Sequence, residues 1–491
     1  MKIAMPELLA PAGNMERLTT AIDYGADAVY LGAQSMSLRN YADNFTPEQL
    51  RAGCEYAHGR NAKVYVACNA FARDEDLKDL PELLTTIRTA GADALIVNDP
   101  GVIRVARKCV PDMPLHLSTQ ANTLNSEAAL FWYEQGVKRI ILARELSIKQ
   151  IKAMRQRLPE DLELEMFVHG AMCVSYSGRC LLSNYINGRD SNRGECAQPC
   201  RWQYELREKG SNGEYFTIEQ DERGSFIMNS RDMRLIEYIP EIVDAGIMSL
   251  KIEGRMKSIA YVATVVNAYR MAIDEYKRSI DEGREYKVPA SVMRELELAS
   301  HRPYTTGFAF GDPGAEGQET RNGGYVADGA IAAVVISYDG KTGTAFVAQR
   351  NKFYDGEELS ILSPGDIGRS FKVSGITNEA GERVQSTPHP KEKLYIGCKQ
   401  ELKPGDILRK LTEKDKTHLP PAFLTGRGYF YGIVIELWSK RLYHVNNVYM
   451  TCRFIHHFAA FIEDGDYELQ KRSNFILLHC RWAGGVFRLC V

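Results

Sequence analysis

The stretch AGADALIVND (90–99) carries the pattern that decides the fold. It ends a helix-like segment at Gly91 and passes directly into a short apolar strand. The stretches YGADAVYLG (24–32), QGVKRIILA (135–143) and AGIMSLKIEG (245–254) repeat the pattern. Glycine suits the left-handed position just after a helix, and a short apolar run bounded in this way is typical of a buried strand. The repeats therefore predict parallel β/α units.

Further strand candidates lie between these repeats, at ELLAPAG (7–13), KVYVACN (63–69), LHLSTQ (115–120) and LEMFVHG (164–170). Eight β/α units need about 250 residues, the usual length of a TIM barrel. We therefore predict a TIM-like parallel β/α barrel over residues 1–270, with a doubly wound open sheet as the alternative. No G-x-G-x-x-G follows a strand, which weakens a dinucleotide-binding form of that alternative.

The rest of the chain divides into three parts. Residues 271–327 are predicted to form a helical segment and a glycine-rich linker. From 328 to 411, short alternating strands with Asp-Gly and Pro-Gly turns predict a small antiparallel β-barrel domain. Residues 412–491 form an atypical, aromatic-rich tail, either an appended module or an aberrant translated extension. Incidental occurrence explains Cys452, His456 and His457 in this tail better than a metal site does.

Composition and charge limit the function classes. The net charge of −2 argues against a sequence-independent nucleic-acid coat protein, so any nucleic-acid site is a local patch. No signal peptide and no apolar run of membrane-spanning length is present, which predicts a cytoplasmic protein without a membrane partner. Thiols stay reduced in the cytosol, so the 11 cysteines require another explanation than disulfides.

Polar side chains follow most of the predicted strands. In a barrel they would converge on the face where active sites lie. A loop contact or a helix cap explains any one of them equally well, and their clustering favours function. The set comprises Asn69, Asn98, Asp99, Gln120, Asn122, Arg144, Glu145, His169, Lys251, Glu253 and Arg255.

Four cysteines follow the strand candidate at 164–170, within the segment 170–225 that would be inserted into the barrel. Cys173, Cys180, Cys196 and Cys200 have the spacing C-x6-C-x15-C-x3-C. Four thiolates suit a tetrahedral zinc ion or an iron–sulfur cluster. Structural zinc more often uses two close C-x2–4-C pairs, so the spacing favours a cluster modestly. Four buried thiols without a metal are the weaker explanation.

The residues around these cysteines closely resemble the signature of the collagenase-like peptidase family U-32. That signature is matched by Glu165, Phe167, Gly170, Ala171, Cys173, Cys180 and Ser183. The resemblance extends from about residue 5 to 410, and the tail differs from the usual ending of the family. It is supported by LLAPAGN (8–14), AVYLG (28–32), LSTQAN (117–122), MNSRDM (228–233), SLKIEGRMKS (249–258) and HRPYTTGF (301–308).

The resemblance is closest to the bacterial members of the family that hydroxylate tRNA. It implies prephenate-dependent conversion of the wobble uridine to 5-hydroxyuridine, with an iron–sulfur cluster, of the 4Fe-4S type, on the four matched cysteines. It therefore implies the tRNA anticodon region and prephenate as binding partners. Members of a sister subgroup hydroxylate a cytidine of ribosomal RNA, which is an alternative substrate.

The candidate catalytic residues are His169, Arg144, Lys251, Glu253 and Arg255. Arg144, Lys251 and Arg255 would clamp carboxylates of the co-substrate, unless salt bridges with Glu145 and Glu253 occupy them. His169 would act as acid or base, and a packed histidine is the alternative. The aromatic rings of three loop residues would stack on a splayed base, with loop packing as the alternative: Tyr176, Tyr185 and Trp202.

Two other function classes remain open. A peptidase would need Cys173 as a free nucleophile with His169 as its base, so it competes with the cluster for the same thiol. No H-E-x-x-H or G-x-S-x-G motif is present. A non-catalytic RNA-binding or sulfur-carrier subunit that acts within a larger complex is the third possibility. A paralogous subunit is a further candidate partner.

Overall fold

The structure is a computed structural model. It describes residues 5–33, 36–37, 44–173, 175–176, 179–202, 230–318 and 329–411, together with four short strands between 443 and 490. The chain separates into two compact units, residues 1–419 and 420–491. Among the described helices, none combines the length and the apolar composition needed to cross a membrane.

A parallel barrel forms the first unit's main body. Strands β1 to β7 pair in chain order, and β9 pairs in parallel with both β7 and β1, which closes the sheet. The TIM-like barrel predicted from the repeats is confirmed, and the open doubly wound sheet is wrong. The strands of the sheet are β1 Glu7–Pro11, β2 Ala28–Gly32, β3 Lys63–Cys68, β4 Ala94–Val97, β5 Leu115–Leu117, β6 Val137–Ile141, β7 Glu163–Ala171, β8 Asp232–Arg234, β9 Ser249–Ile252 and β10 Tyr304–Thr305.

Helices surround the barrel. Gly25, Gly91, Gly136 and Gly246 all have positive φ at the end of a helix, as the repeated pattern predicts. Several polar strand-end residues begin a helix as its N-cap; the Asp99 carboxylate, for example, accepts hydrogen bonds from two backbone N–H groups. The helices are α1 Met15–Asp23, α2 Pro47–His58, α3 Leu80–Thr89, α4 Pro100–Cys109, α5 Ser126–Glu134, α6 Ile148–Arg155, α7 Leu182–Asn187, α8 Ile239–Asp244, α9 Ile259–Glu282 and α10 Ala290–Glu297.

Two short strands extend the sheet beyond the barrel. Strand β7 continues past its neighbours and pairs antiparallel with β8, so that Ala171 lies opposite Asp232. Strand β10 pairs with β8, and a buried ion pair between Arg302 and Asp232 joins them, with Nε to Oδ1 at 2.9 Å. Helix α9 runs across residue 270, so the boundary between the barrel and the predicted helical segment and linker falls inside this helix.

An antiparallel domain follows the barrel, as predicted. Its seven strands curl into a half-barrel, in the order β14-β13-β17-β11-β12-β16-β15. The side-chain amide of Asn267 on α9 attaches this domain to the barrel. It donates a hydrogen bond to Ser363 O and accepts one from Gly365 N. The strands are β11 Gly329–Asp339, β12 Thr344–Gln349, β13 Glu358–Ser363, β14 Asp366–Lys372, β15 Ser374–Asn378, β16 Lys393–Gly397 and β17 Ile407–Leu411.

The second unit contains two antiparallel strand pairs, 443–445 with 448–450 and 477–482 with 485–490. Cys452, His456 and His457 lie outside the described residues, and so does the part of the cysteine-bearing insertion between 203 and 229.

Candidate active site at the barrel mouth

An ionic network occupies the barrel interior. The Lys251 ammonium on β9 lies 2.7 Å from Glu165 Oε1 on β7, and both side chains are almost fully buried. Arg139 on β6 joins this pair at 3.2 Å from Glu165 and binds Glu7 at 2.6 Å. Burial lowers the pKa of Lys251, and the Glu165 carboxylate opposes that effect. Charges taken out of water persist only when they are paired in this way, so Lys251 serves the interior of the barrel.

Arg144 follows β6 and holds the start of the cysteine-bearing loop. Its Nη1 donates to Ala171 O at 2.7 Å, and its guanidinium lies 4.2 Å from the Phe167 ring centroid. Its Nε is buried and has no hydrogen-bond partner among the described residues. Arg144 therefore positions the loop and retains one donor for a ligand.

Arg255 and Glu253 lie after β9. The buried Arg255 guanidinium donates to Ser37 Oγ and to Asn44 Oδ1, each at 2.8 Å. Glu253 is tied through its backbone: its N–H donates to His169 O, and its carbonyl oxygen accepts from the Tyr261 hydroxyl. Both residues lie at the mouth of the barrel, where the sequence placed them, and Arg255 supports the loops around it.

His169 faces the helix layer. Its ring lies 5.5 Å from the Tyr269 centroid and 5.3 Å from the Tyr304 centroid. Both ring nitrogens are buried without a hydrogen-bond partner in the described structure, and burial lowers the pKa of His169 well below its usual value. His169 is thus a neutral, packed residue in this arrangement, and its acid–base role stays a sequence-based prediction.

The four cysteine thiols lie near one another. Burial raises the pKa of Cys200, and the thiols of Cys173, Cys196 and Cys180 raise it further, while Arg201 lowers it. All four are free. In the part of the chain that is described, no three His, Cys, Asp or Glu side chains are spaced to hold a single metal ion. Four thiol donors suit soft metal centres.

The cysteine-bearing loop is anchored to the connection between β3 and α3. Arg193 forms a two-point ion pair with Asp76, at 2.8 and 3.0 Å, and also donates to Phe71 O. Asn192 and Ser191 donate side-chain hydrogen bonds to Cys180 O. These contacts fix the loop over the carboxyl ends of the strands, although the chain segments that meet are more than 100 residues apart.

A cavity of about 190 Å³ opens beside Cys173. Glu145 at its wall is half-buried, its Oε2 has no hydrogen-bond partner within the described residues, and burial raises its pKa. In the sequence, Glu145 is one of many polar residues that follow a predicted strand. Its position directly after Arg144 is the feature that could have identified it as a site residue. The lining residues are Glu145, Met172, Cys173, Ser175, Tyr176, Ser230, Arg231, Thr305, Gly307, Phe308, Asp312, Pro313, Gly314, Gly317 and Gln318.

The three aromatic residues that were predicted to stack on a base all present surface to solvent. Tyr185 on α7 is 88% exposed, Tyr176 lines the cavity, and Trp202 ends the described part of the loop. Loop packing therefore does not bury them.

Comparisons with known proteins agree with this architecture. The profile of Peptidase family U32 matches residues 13–319, and that of the Peptidase family U32 C-terminal domain matches residues 329–409. The chain is 40% identical over 406 residues to tRNA hydroxylation protein P1 of Bacillus subtilis, covering 82% of this chain and 94% of that protein.

Two further relatives bear other names. The chain is 30% identical over 423 residues to a Collagenase of Porphyromonas gingivalis, covering 84% of this chain and 99% of that protein. It is 37% identical over 268 residues to a 23S rRNA 5-hydroxycytidine synthase of Escherichia coli, covering 55% of this chain and 39% of that protein.

Proposed function

The chain belongs to peptidase family U32, and from that membership we propose that it is an RNA-hydroxylating enzyme. Its proposed reaction converts the wobble uridine of tRNA to 5-hydroxyuridine, with prephenate as co-substrate and an iron–sulfur cluster of the 4Fe-4S type on four cysteine ligands. Those ligands are Cys173, Cys180, Cys196 and Cys200. The tRNA anticodon region and prephenate are the proposed partners, with a paralogous subunit as a further candidate.

The observation that carries the proposal is the anchoring of the loop that bears the four cysteines over the carboxyl ends of the barrel strands, where Cys173 lines a cavity. Active sites of β/α barrels lie at this face. A bound cluster would supply Lewis-acid and redox chemistry there. The relative with 40% identity, which this chain covers almost completely, is named for tRNA hydroxylation and supports the substrate class.

Residues of the chain itself would bind the acidic co-substrate and the RNA bases and would hold the cysteine-bearing loop in place. Arg144 keeps its Nε free for an acidic co-substrate, whereas Lys251 is occupied by Glu165. Arg144 is therefore the candidate best placed to hold a carboxylate of prephenate. Arg193 and Asp76 hold the loop, and the exposed Tyr176 and Tyr185 offer rings on which bases of a single-stranded RNA loop stack.

The peptidase alternative is favoured by the relative named Collagenase. It requires Cys173 and His169 to act together. His169 instead contacts tyrosine rings on the helix side and has no hydrogen bond to any described side chain. The geometry thus supports RNA hydroxylation better than a Cys173–His169 dyad.

Anaerobic purification followed by nucleoside analysis tests the proposal. The protein should carry iron and sulfide, and it should restore 5-hydroxyuridine in tRNA when it is expressed in a bacterial strain that lacks this modification. Zinc alone, or tRNA without 5-hydroxyuridine, would refute it. A 5-hydroxycytidine product in ribosomal RNA would identify the alternative substrate, and cleavage of gelatin by the metal-free protein would identify the peptidase.

A further inference from the structure

The cavity beside Cys173 has two kinds of wall. Met172, Phe308 and Pro313 supply apolar surface, and Tyr176 adds an aromatic ring at the opening. Polar groups converge on the same space from the end of β6, from the start of β8 and from the loop after β10. Its volume of about 190 Å³ is below the roughly 300 Å³ at which pockets for drug-sized ligands begin, so it suits a single ring.

The charges of the residues that line the cavity determine which small ligands can bind there. Glu145 and Asp312 contribute two carboxyl groups, against the single guanidinium of Arg231. With Glu145 neutral, the Asp312 carboxylate and the Arg231 guanidinium offset each other, so the lining supplies no net positive charge to bind a dicarboxylic acid, whereas an uncharged heterocycle needs none. The lining therefore favours a nucleobase over the acidic co-substrate.

Glu145, like Gln318, is a lining residue with a buried side-chain oxygen that lacks a hydrogen-bond partner among the described residues. Its Oε2 is buried without one among the described residues, and leaving a buried acceptor unpaired is costly. A carboxyl group can both donate and accept when it is neutral, and burial shifts Glu145 towards that form. The edge of a pyrimidine presents a ring nitrogen beside an exocyclic group, which together match one donor and one acceptor.

We propose that this cavity receives the pyrimidine base flipped out of the target RNA and that Glu145 hydrogen-bonds the Watson–Crick edge of that base. The inference rests on the proposed RNA hydroxylation and assigns a recognition residue to it. Enzymes that modify a base commonly read it in this way, between apolar walls and a polar edge. The sulfur of Cys173 then borders the base that is to be modified.

Binding of two RNAs to the cluster-loaded protein tests this assignment. The first is an anticodon stem–loop with uridine at the wobble position, and the second is the same RNA with an abasic nucleotide there. Wild type should bind the uridine RNA about tenfold more tightly, as expected for a satisfied buried hydrogen-bonding group and a stacked ring. Glu145→Ala should keep only the part of the preference that comes from ring stacking, and Glu145→Gln should keep more of it because an amide also donates and accepts.

Two further variants keep the test decisive. Glu145→Met has similar length but cannot hydrogen-bond, and it replaces Glu145→Ala if that protein fails to fold. Glu134→Ala removes an exposed carboxylate on α5 and should behave as wild type.

The possible failures are distinct. If wild type binds neither RNA, the proposed function itself is wrong. If wild type prefers uridine and Glu145→Ala keeps the full preference, only the assignment of Glu145 is overturned. If Glu145→Ala instead changes the affinity for prephenate and not the base preference, the cavity holds the acid and the inference is wrong.

Discussion

Replacing Lys251 by methionine tests the interior network of the barrel. The substitution removes the ammonium 2.7 Å from Glu165 and leaves that carboxylate, which is fully buried, with Arg139 alone. Arg139 lies 3.2 Å away and is already shared with Glu7 at 2.6 Å. Removing one partner of a buried pair typically costs about 3–5 kcal/mol. Because Arg139 partly compensates, we expect a loss of about 3 kcal/mol in the free energy of unfolding.

Urea unfolding followed by far-ultraviolet circular dichroism measures this loss, with wild type and variant at the same pH. The double variant Lys251→Met with Glu165→Met is the control, since replacing both charges by apolar groups should recover most of the stability. A single variant that unfolds within about 0.5 kcal/mol of wild type would refute the reasoning, because it would mean that the pair is not charged in the folded protein.

Three further predictions concern the loop and the mouth. Cys196→Ser should lose most of its iron and sulfide by elemental analysis, whereas Cys109→Ser, in α4, should retain both; equal iron in the two would contradict the ligand assignment. Arg193→Ala should change overall stability by less than about 1 kcal/mol, because the ion pair is partly exposed, yet it should speed amide hydrogen exchange in residues 179–202. Unchanged exchange would show that the anchor does not order the loop. Burial lowers the pKa of Lys257 to about 8, so its ammonium destabilises the folded protein below that pH. Relative to Lys257→Met, wild type should gain stability in urea titrations as the pH rises from about 8 to 10, and a constant difference would contradict this.

The barrel was predictable from sequence because its signals are local. Each repeat carries its own helix stop and its own apolar strand, so Gly91 and residues 94–97 reveal their structure without knowledge of the rest of the chain. The three-residue strand β8 carries no such signal. It exists because Asp232 pairs with Arg302, 70 positions away, and because β7 extends to meet it.

The sequence predicts which residues belong to the site, but not the direction in which their side chains point. The four cysteines share one loop, so their spacing marks them together. The side to which His169 and Lys251 point depends on an irregularity in the pairing of β7 with β9, between Phe167 and His169. Such an irregularity turns a side chain from the barrel interior towards the helices, and only the paired register reveals it.

The pairing of β7 with β8 brings together the two ends of the long excursion that carries the cysteines. Ala171 lies opposite Asp232, so the two ends of the excursion over residues 172–231 are joined by a narrow hydrogen-bonded stem, and the Arg193–Asp76 ion pair adds a second attachment. Lengthening a loop whose ends are already joined adds little closure entropy. Insertions or deletions in this excursion that spare Arg193 and the stem should therefore change the barrel's stability little. Such a stem lets the barrel keep its fold while this one segment varies in length and sequence.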